Sequence, residues 1–175
     1  MTAAPSPFLA EAWRRCAPHG PVLDLACGRG RHARWLLERG ETVVALDRDP
    51  AALDALRGSL LPGARCQAVR ADLERGHGIP LADGAFGAVV VFRYLHRPLA
   101  AEIDRLLGPA GWLVYETFTR GQARRSHGPS RPEFLLEPGE LPLLFPGLRV
   151  VLFEERVSDG PRPEALARLL AKKPG

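Results

Sequence analysis

Residues 22–50 read VLDLACGRGRHARWLLERGETVVALDRDP. Val22 to Leu25 is a short buried strand, and Arg31 to Arg39 is a helix stopped by Gly40. Thr42 to Leu46 is a second strand of β-branched and apolar residues that runs into Asp47. Asp49-Pro50 then offers an N-cap followed by proline at the first helical position, opening a helix to about Arg57. Strand, turn, helix, strand in this order is a βαβ unit and predicts a parallel sheet with right-handed crossovers.

Ligands of such sheets bind outside the carboxyl ends of the strands, where the Ala26 to Arg31 turn falls. Gly28 and Gly30 lack Cβ, so the backbone there takes positive φ and approaches a ligand, or one of them simply permits a tight turn. Asp47 lies 17 residues after Gly30, near the roughly 20-residue spacing at which an acidic side chain meets a ribose diol. Two nucleoside classes compete. GRGRHA (28–33) formally matches the dinucleotide fingerprint G-x-G-x-x-A, and Arg48 suits a phosphate. Against that, Asp24 sits inside the first strand, poorly placed for a pyrophosphate and well placed to help hold an ammonium.

Outward from this unit, residues 7–17 predict a leading amphipathic helix, with Phe8, Leu9, Ala12 and Trp13 at helical spacing. Arg65 to Val69 is a third strand, followed by the turn-rich ERGHGIPLADG (74–84). Phe86 to Phe92 is nearly all apolar, as a central parallel strand covered on both faces must be. Pro98 to Leu107 is a helix ended by Gly108-Pro109, and Trp112 to Thr117 a fifth strand. Residues 118–138 carry no period and are dense in Arg, Gly and Pro, which marks a long substrate or lid loop leading to a short helix near Glu140 to Phe145. LRVVLFEERV (148–157) is a strand, SDGPRPE (158–164) a turn, and ALARLLAKKPG either a terminal helix or the return strand of an antiparallel hairpin.

The 175 residues suit one domain, 1–175, and 46% hydrophobic against 25% charged residues is a soluble globular composition. A net charge of +4 does not argue for nucleic acid, and no basic stretch interleaved with aromatics supports it. Three widely spaced cysteines, Cys16, Cys27 and Cys66, with no CxxC pair predict neither a disulfide framework nor a metal site and fit the cytoplasm. Neither an export signal nor eighteen consecutive apolar residues is present, so no membrane partner is expected. Oligomeric state has no signature in the chain.

Taken together, Asp24-Leu25-Ala26-Cys27-Gly28-Arg29-Gly30 resembles motif I, D/E-x-G-x-G-x-G, of the class I S-adenosylmethionine-dependent methyltransferases, with Ala26 in place of the first glycine. ALDRDP (45–50), ADLERGHGIPLADGAFGAVVVF (71–92) and LLGPAGWLVYETF (106–118) resemble that family's later motifs in order, and ARLLAKKPG resembles its antiparallel last strand. Motif I looks most like that of small bacterial methyltransferases related to the tellurite-resistance methyltransferase. The resemblance implies an α/β, Rossmann-like three-layer sandwich with a seven-stranded, mostly parallel sheet in the order 3-2-1-4-5-7-6, strand 7 antiparallel. It implies S-adenosylmethionine as cofactor and methyl transfer to a small-molecule acceptor. Residue by residue, Asp24 would meet the methionine amino group directly or through water. Ala26, Gly28 and Gly30 would let the backbone approach. Asp47 would bind the ribose hydroxyls and Arg48 flank the adenine. Asp72 would meet the adenine amino group with the Leu73 backbone nearby, and Phe92 and Arg93 would sit beside the sulfonium.

Methyl transfer from a sulfonium is an in-line displacement with a neutral leaving group, so positioning dominates and a base is needed only for a protonated nucleophile. Catalytic candidates are Tyr94, His96 and Glu116, with His127 farther out. Tyr94 equally suits an aromatic wall of the cofactor pocket, His96 a residue leading into a helix, and Glu116 a solvated strand end. Arg120, Arg124, Arg125 and Arg131 on the 118–138 loop would suit an anionic substrate or simply a solvated loop. An NAD(P)-binding oxidoreductase and a non-catalytic module of the same fold are the competing readings.

Overall fold

The computed structural model describes residues 4–75, 78–159 and 161–175, so the expected turns at 74–84 and 158–164 lie partly outside the described residues. Seven strands form one sheet: β1 (Val22–Leu25), β2 (Val43–Asp47), β3 (Cys66–Arg70), β4 (Phe86–Phe92), β5 (Leu107–Phe118), β6 (Arg149–Val157) and β7 (Ala165–Lys172). Their order is β3-β2-β1-β4-β5-β7-β6. Pairings are parallel from β3 through to β5, whereas β7 runs antiparallel between β5 and β6.

Burial follows from composition. Every residue of β1 and β4 is buried, as their near-continuous apolar runs require. Helices α1 (Pro7–Trp13), α2 (Arg31–Leu37) and α3 (Pro50–Gly58) place Phe8, Leu36, Leu53 and Leu56 against one face of the sheet. On the other face lie α4 (Ala100–Leu106) and α5 (Glu140–Leu143), through Ile103, Leu106 and Leu141. Strand order, three layers and the antiparallel β7 are those of the Rossmann-like methyltransferase fold expected from the sequence. No helix among the described residues is long and apolar enough to cross a membrane.

Several element boundaries differ from expectation, with α2 ending at Leu37 rather than Arg39 and α5 at Leu143 rather than Phe145. Helix α1 stops at Trp13, not at residue 17, because the Arg15 and Cys16 N–H groups both turn back onto the Ala12 carbonyl and Pro18 disfavours helix in the residue before it. Residues 97–99 form a 3-10 turn and the α-helix starts at Ala100. Strand β5 begins at Leu107, five residues early: Leu107 pairs with Phe86, and a register shift before Ala88 absorbs Gly108 to Gly111. Glycine is required there, since a Cβ on Gly108 would lie 2.9 Å from the Gly84 carbonyl oxygen.

The 118–138 loop is built rather than loose. Two 3-10 turns, Arg120–Arg124 and Pro132–Phe134, are closed by a Thr119–Leu136 bridge. Fully buried Gln122 accepts from the Ala165 N–H at 2.9 Å and donates to the His127 carbonyl at 2.6 Å, which fixes the loop to β7.

Candidate functional site

The chain turns away from the carboxyl ends of β1 and β4 through two residues that rarely take positive φ. Ala26 has φ +57° and Arg93 φ +59°, each carrying a Cβ in the left-handed region at a cost of about 1–3 kcal/mol. Arg93 is held there by its N–H on the Glu116 carbonyl at 2.8 Å. Strained backbone at the ends of two adjacent central strands marks the crevice where a ligand of this sheet is received.

Both residues line a cavity of about 370 Å³. One side of it comes from the ends of β2 and β3, with Asp47, Arg48, Asp72, Leu73 and Glu74; the other comes from Tyr94, Leu95, Thr117, Phe118, Pro129 and Phe134. Asp47 carries the first side. Its Oδ2 accepts from the Gly28 N–H at 2.7 Å and its Oδ1 from the Asp49 N–H at 2.9 Å. Each oxygen keeps a further lone pair for a diol. Asp72 pairs with Arg75 at 3.0 Å, and Arg48 with Glu74 at 3.6 Å.

A second cavity of about 710 Å³ shares Ala26 and Arg93 and adds Gly28, Arg29, Arg31, His32 and Phe92. Gly28 has φ +53° and a Cβ there would meet nothing within 4 Å, so its backbone stands open to a ligand. His32 stacks on Phe92 with ring centroids 4.0 Å apart. Burial, with Arg31 and Arg93 adding to it, pushes the imidazole down to about 3, so it stays neutral and accepts from the Ser6 N–H at 3.2 Å.

Several expected ligand residues have another occupation. Gly30 lines neither cavity; it is the left-handed N-cap of α2, and a Cβ there would strike Leu56 Cδ1 at 2.5 Å, so packing of α2 on α3 demands this glycine. Asp24 is buried and likewise lines neither cavity. Its Oδ2 accepts from the Ala33 N–H at 2.9 Å, capping α2 from the neighbouring strand because Gly30 has no side chain to do so. Burial above all, reinforced by Asp47 and opposed by the Ala33 N–H and Arg31, lifts its carboxyl to about 7. Cys27 is pushed up by burial and remains a packing thiol.

The three catalytic candidates are not brought together. Tyr94 lines the first cavity, and burial, then Glu74, holds its phenol above the ordinary value. His96 lines neither cavity; its carbonyl accepts the Leu99 N–H at the start of the 3-10 turn. Glu116 is fully buried rather than a solvated strand end, and points to the opposite face of β5. There it accepts from Ser6 Oγ at 2.8 Å and from Arg168 Nε at 2.7 Å, with Arg93 Nε at 3.8 Å. Strand alternation puts its neighbour Thr117 on the cavity wall instead. His127 is tied to the Pro163 carbonyl at 3.2 Å. In the arginine loop, Arg120 pairs with Glu137 and Arg131 with Glu133. Sequence reading missed Thr117, Ser6 and Arg168; period-2 alternation along β5 was the available signal for the first.

A family described as a methyltransferase domain matches residues 22–111, which contain Ala26, the Gly28 turn, Asp47, Asp72 and Arg93. The chain belongs to this methyltransferase family. An uncharacterised methyltransferase of Mycobacterium bovis is 40% identical over 114 residues, 63% of this chain and 44% of that protein. A trans-aconitate 2-methyltransferase of Sinorhizobium fredii is 37% identical over 103 residues, 57% of this chain and 38% of that one. This methyltransferase-family chain thus spans less than half the length of these curated relatives. The structure of TehB from Haemophilus influenzae superposes with a TM-score of 0.76 at 16% identity, covering 99% of this chain and 63% of that one, and shares the fold.

Proposed function

We propose that the protein transfers the methyl group of S-adenosylmethionine to a small-molecule acceptor, acting as one catalytic domain over 1–175. The observation that carries this reading is the meeting of Ala26, Asp47, Asp72 and Arg93, from the ends of four adjacent strands, at a single cavity. The residues fit the cofactor: Asp47 has free lone pairs for the ribose diol, Gly28 exposes backbone to the methionine part, and Asp72 with Leu73 stands at the adenine end. Asp24, through the α2 terminus it caps, orients the Gly28 turn. When bound, the cofactor supplies an activated methyl group on a sulfonium whose departure needs no proton. The chain's own task is then to hold the acceptor in line and exclude water.

A dinucleotide reading is disfavoured because the N-terminus of α2, where a pyrophosphate would rest, is already capped by a buried carboxylate. Small acceptors agree with the name of the trans-aconitate relative. The free thiols of Cys16, Cys27 and Cys66 support a reducing cytoplasm as the place of action.

Calorimetry with S-adenosylmethionine, S-adenosylhomocysteine and NADPH tests the reading. Binding of the first two, weakened about 100-fold in Asp47→Ala, is expected, since charge-assisted hydrogen bonds contribute about 1.5–3 kcal/mol. Binding of NADPH alone would overturn it.

A further inference from the structure

Thr117 is about 1% exposed and lies on the wall of the first cavity, and its Oγ1 has no hydrogen-bond partner in the protein. A buried hydroxyl left unpaired costs about 1–3 kcal/mol, and a ligand in the cavity it lines is the partner that would remove the cost. Around it the wall is apolar: Phe118, Pro129, Phe134 and Leu95. Topology separates this end from Asp47 and Asp72, because β5 stands on the far side of β4 and β1 from them, while Glu74 reaches the cavity beside Tyr94.

Among the described residues no histidine lines the cavity, and its carboxylates are engaged: Asp47 by the Gly28 and Asp49 N–H groups, Asp72 by Arg75 and Glu74 by Arg48. Glu116 faces the other side of the sheet and is held by Ser6 and Arg168; His32 accepts from Ser6; His127 is tied to Pro163; His96 lines no part of the cavity. Tyr94 keeps its proton and is a donor. An acceptor received here therefore arrives with its nucleophile already proton-free at neutral pH, and its second heteroatom takes a hydrogen bond.

We propose that the acceptor is a small carboxylate on an apolar body, with Thr117 Oγ1 donating to one carboxylate oxygen while the other attacks. This rests on the methyltransferase reading above. The attacking oxygen forms a bond to the methyl carbon as the carbon–sulfur bond breaks. The electron pair of that bond stays on sulfur, giving a methyl ester and a neutral thioether, and no proton moves.

The test is S-adenosylhomocysteine release with matched acceptors, phenylacetate and hexanoate against benzyl mercaptan and benzylamine, for the wild type, Thr117→Val and Thr117→Ser. Turnover of the carboxylates to alkali-labile esters is expected. Thr117→Val should lower kcat/KM about 10- to 100-fold with the affinity for S-adenosylmethionine unchanged, and Thr117→Ser should recover most of it. The same Thr117→Val change removes an unpaired hydroxyl at constant volume, so its melting temperature should rise, an effect opposite to the loss of a structural hydrogen bond. Methyl transfer to the thiol or amine alone, no transfer to either carboxylate by a protein that binds S-adenosylmethionine, or a lower melting temperature for Thr117→Val would each overturn the proposal. Failure to bind S-adenosylmethionine would instead bring down the methyltransferase reading itself.

Discussion

Asp24 on β1 and Glu116 on β5 are both almost fully buried carboxylates near the ligand edge of the sheet, yet their surroundings are opposite. Glu116 receives a guanidinium from Arg168, a hydroxyl from Ser6 and the approach of Arg93. Asp24 receives one backbone N–H and has no salt bridge among the described residues. The β5 region carries fixed charge within a network that runs on from Arg168 to Glu154 at 3.1 Å and joins the N-terminal segment to both strands of the β5–β7 pair. The β1 region holds a group poised to gain or lose a proton near neutrality, beside the Gly28 turn proposed to receive the cofactor. Rigid charge lies behind β5, and titratable charge lies under the Gly28 turn after β1.

The comparison breaks most visibly at Glu116. Removing it in Glu116→Ala leaves Arg168 buried beside a lost partner, and urea unfolding should show about 3–5 kcal/mol less stability. A loss under about 1 kcal/mol would mean that Glu154 alone satisfies Arg168, and that the network is not what holds this region.

Next in size is the pH response of Asp24. Its folded-state value of about 7 lies above the unfolded 3.8, so the native state holds the proton more tightly. Its contribution to stability is full below about pH 3.8 and is lost as pH rises to about 7. The difference corresponds to on the order of 3–4 kcal/mol between those limits. Chemical unfolding of the wild type and Asp24→Asn across that range checks it. The two stability curves should converge at low pH, with the wild type falling below the variant as pH approaches 7, and parallel curves would refute the contrast with Glu116.

The smallest effect sharpens the strain at β1. Ala26→Gly relieves a left-handed backbone but adds freedom to the unfolded chain. The net expectation is a gain of roughly 0.5 kcal/mol, read as a small rise in melting temperature. A destabilised variant would show that the alanine methyl contributes packing that outweighs its φ.

Legibility in the sequence tracked how local each determinant is. The βαβ unit, the buried β4 and the Asp49-Pro50 helix start rest on periodicity and caps within a few residues, and they stand where the pattern put them. The α4–β5 junction was misread because Gly108-Pro109 signals a helix end equally well when the chain enters a strand through an irregular register, and only the pairing of Leu107 with Phe86 distinguishes the two. Asp47 was legible from its spacing to Gly30. Gly30 itself was overread, since a glycine required by Leu56 leaves the same mark in the sequence as one required by a ligand. Glu116 drew attention as a carboxylate at a strand end, but its partners Ser6 and Arg168 are 110 and 52 residues away, a separation at which no local pattern speaks.

The placement of β7 between β5 and β6 also has a consequence for the order of assembly during synthesis. Strands β1 to β5 can pair as they emerge from the ribosome, but β5 then presents an open edge, and Glu116 has only the longer approach of Arg93 until Arg168 has been made. A nascent chain halted before residue 165 would hold β1 to β4 while exposing that edge and a carboxylate that lacks its closest partner. It is this half-built sheet, more than the finished one, that a chaperone would meet.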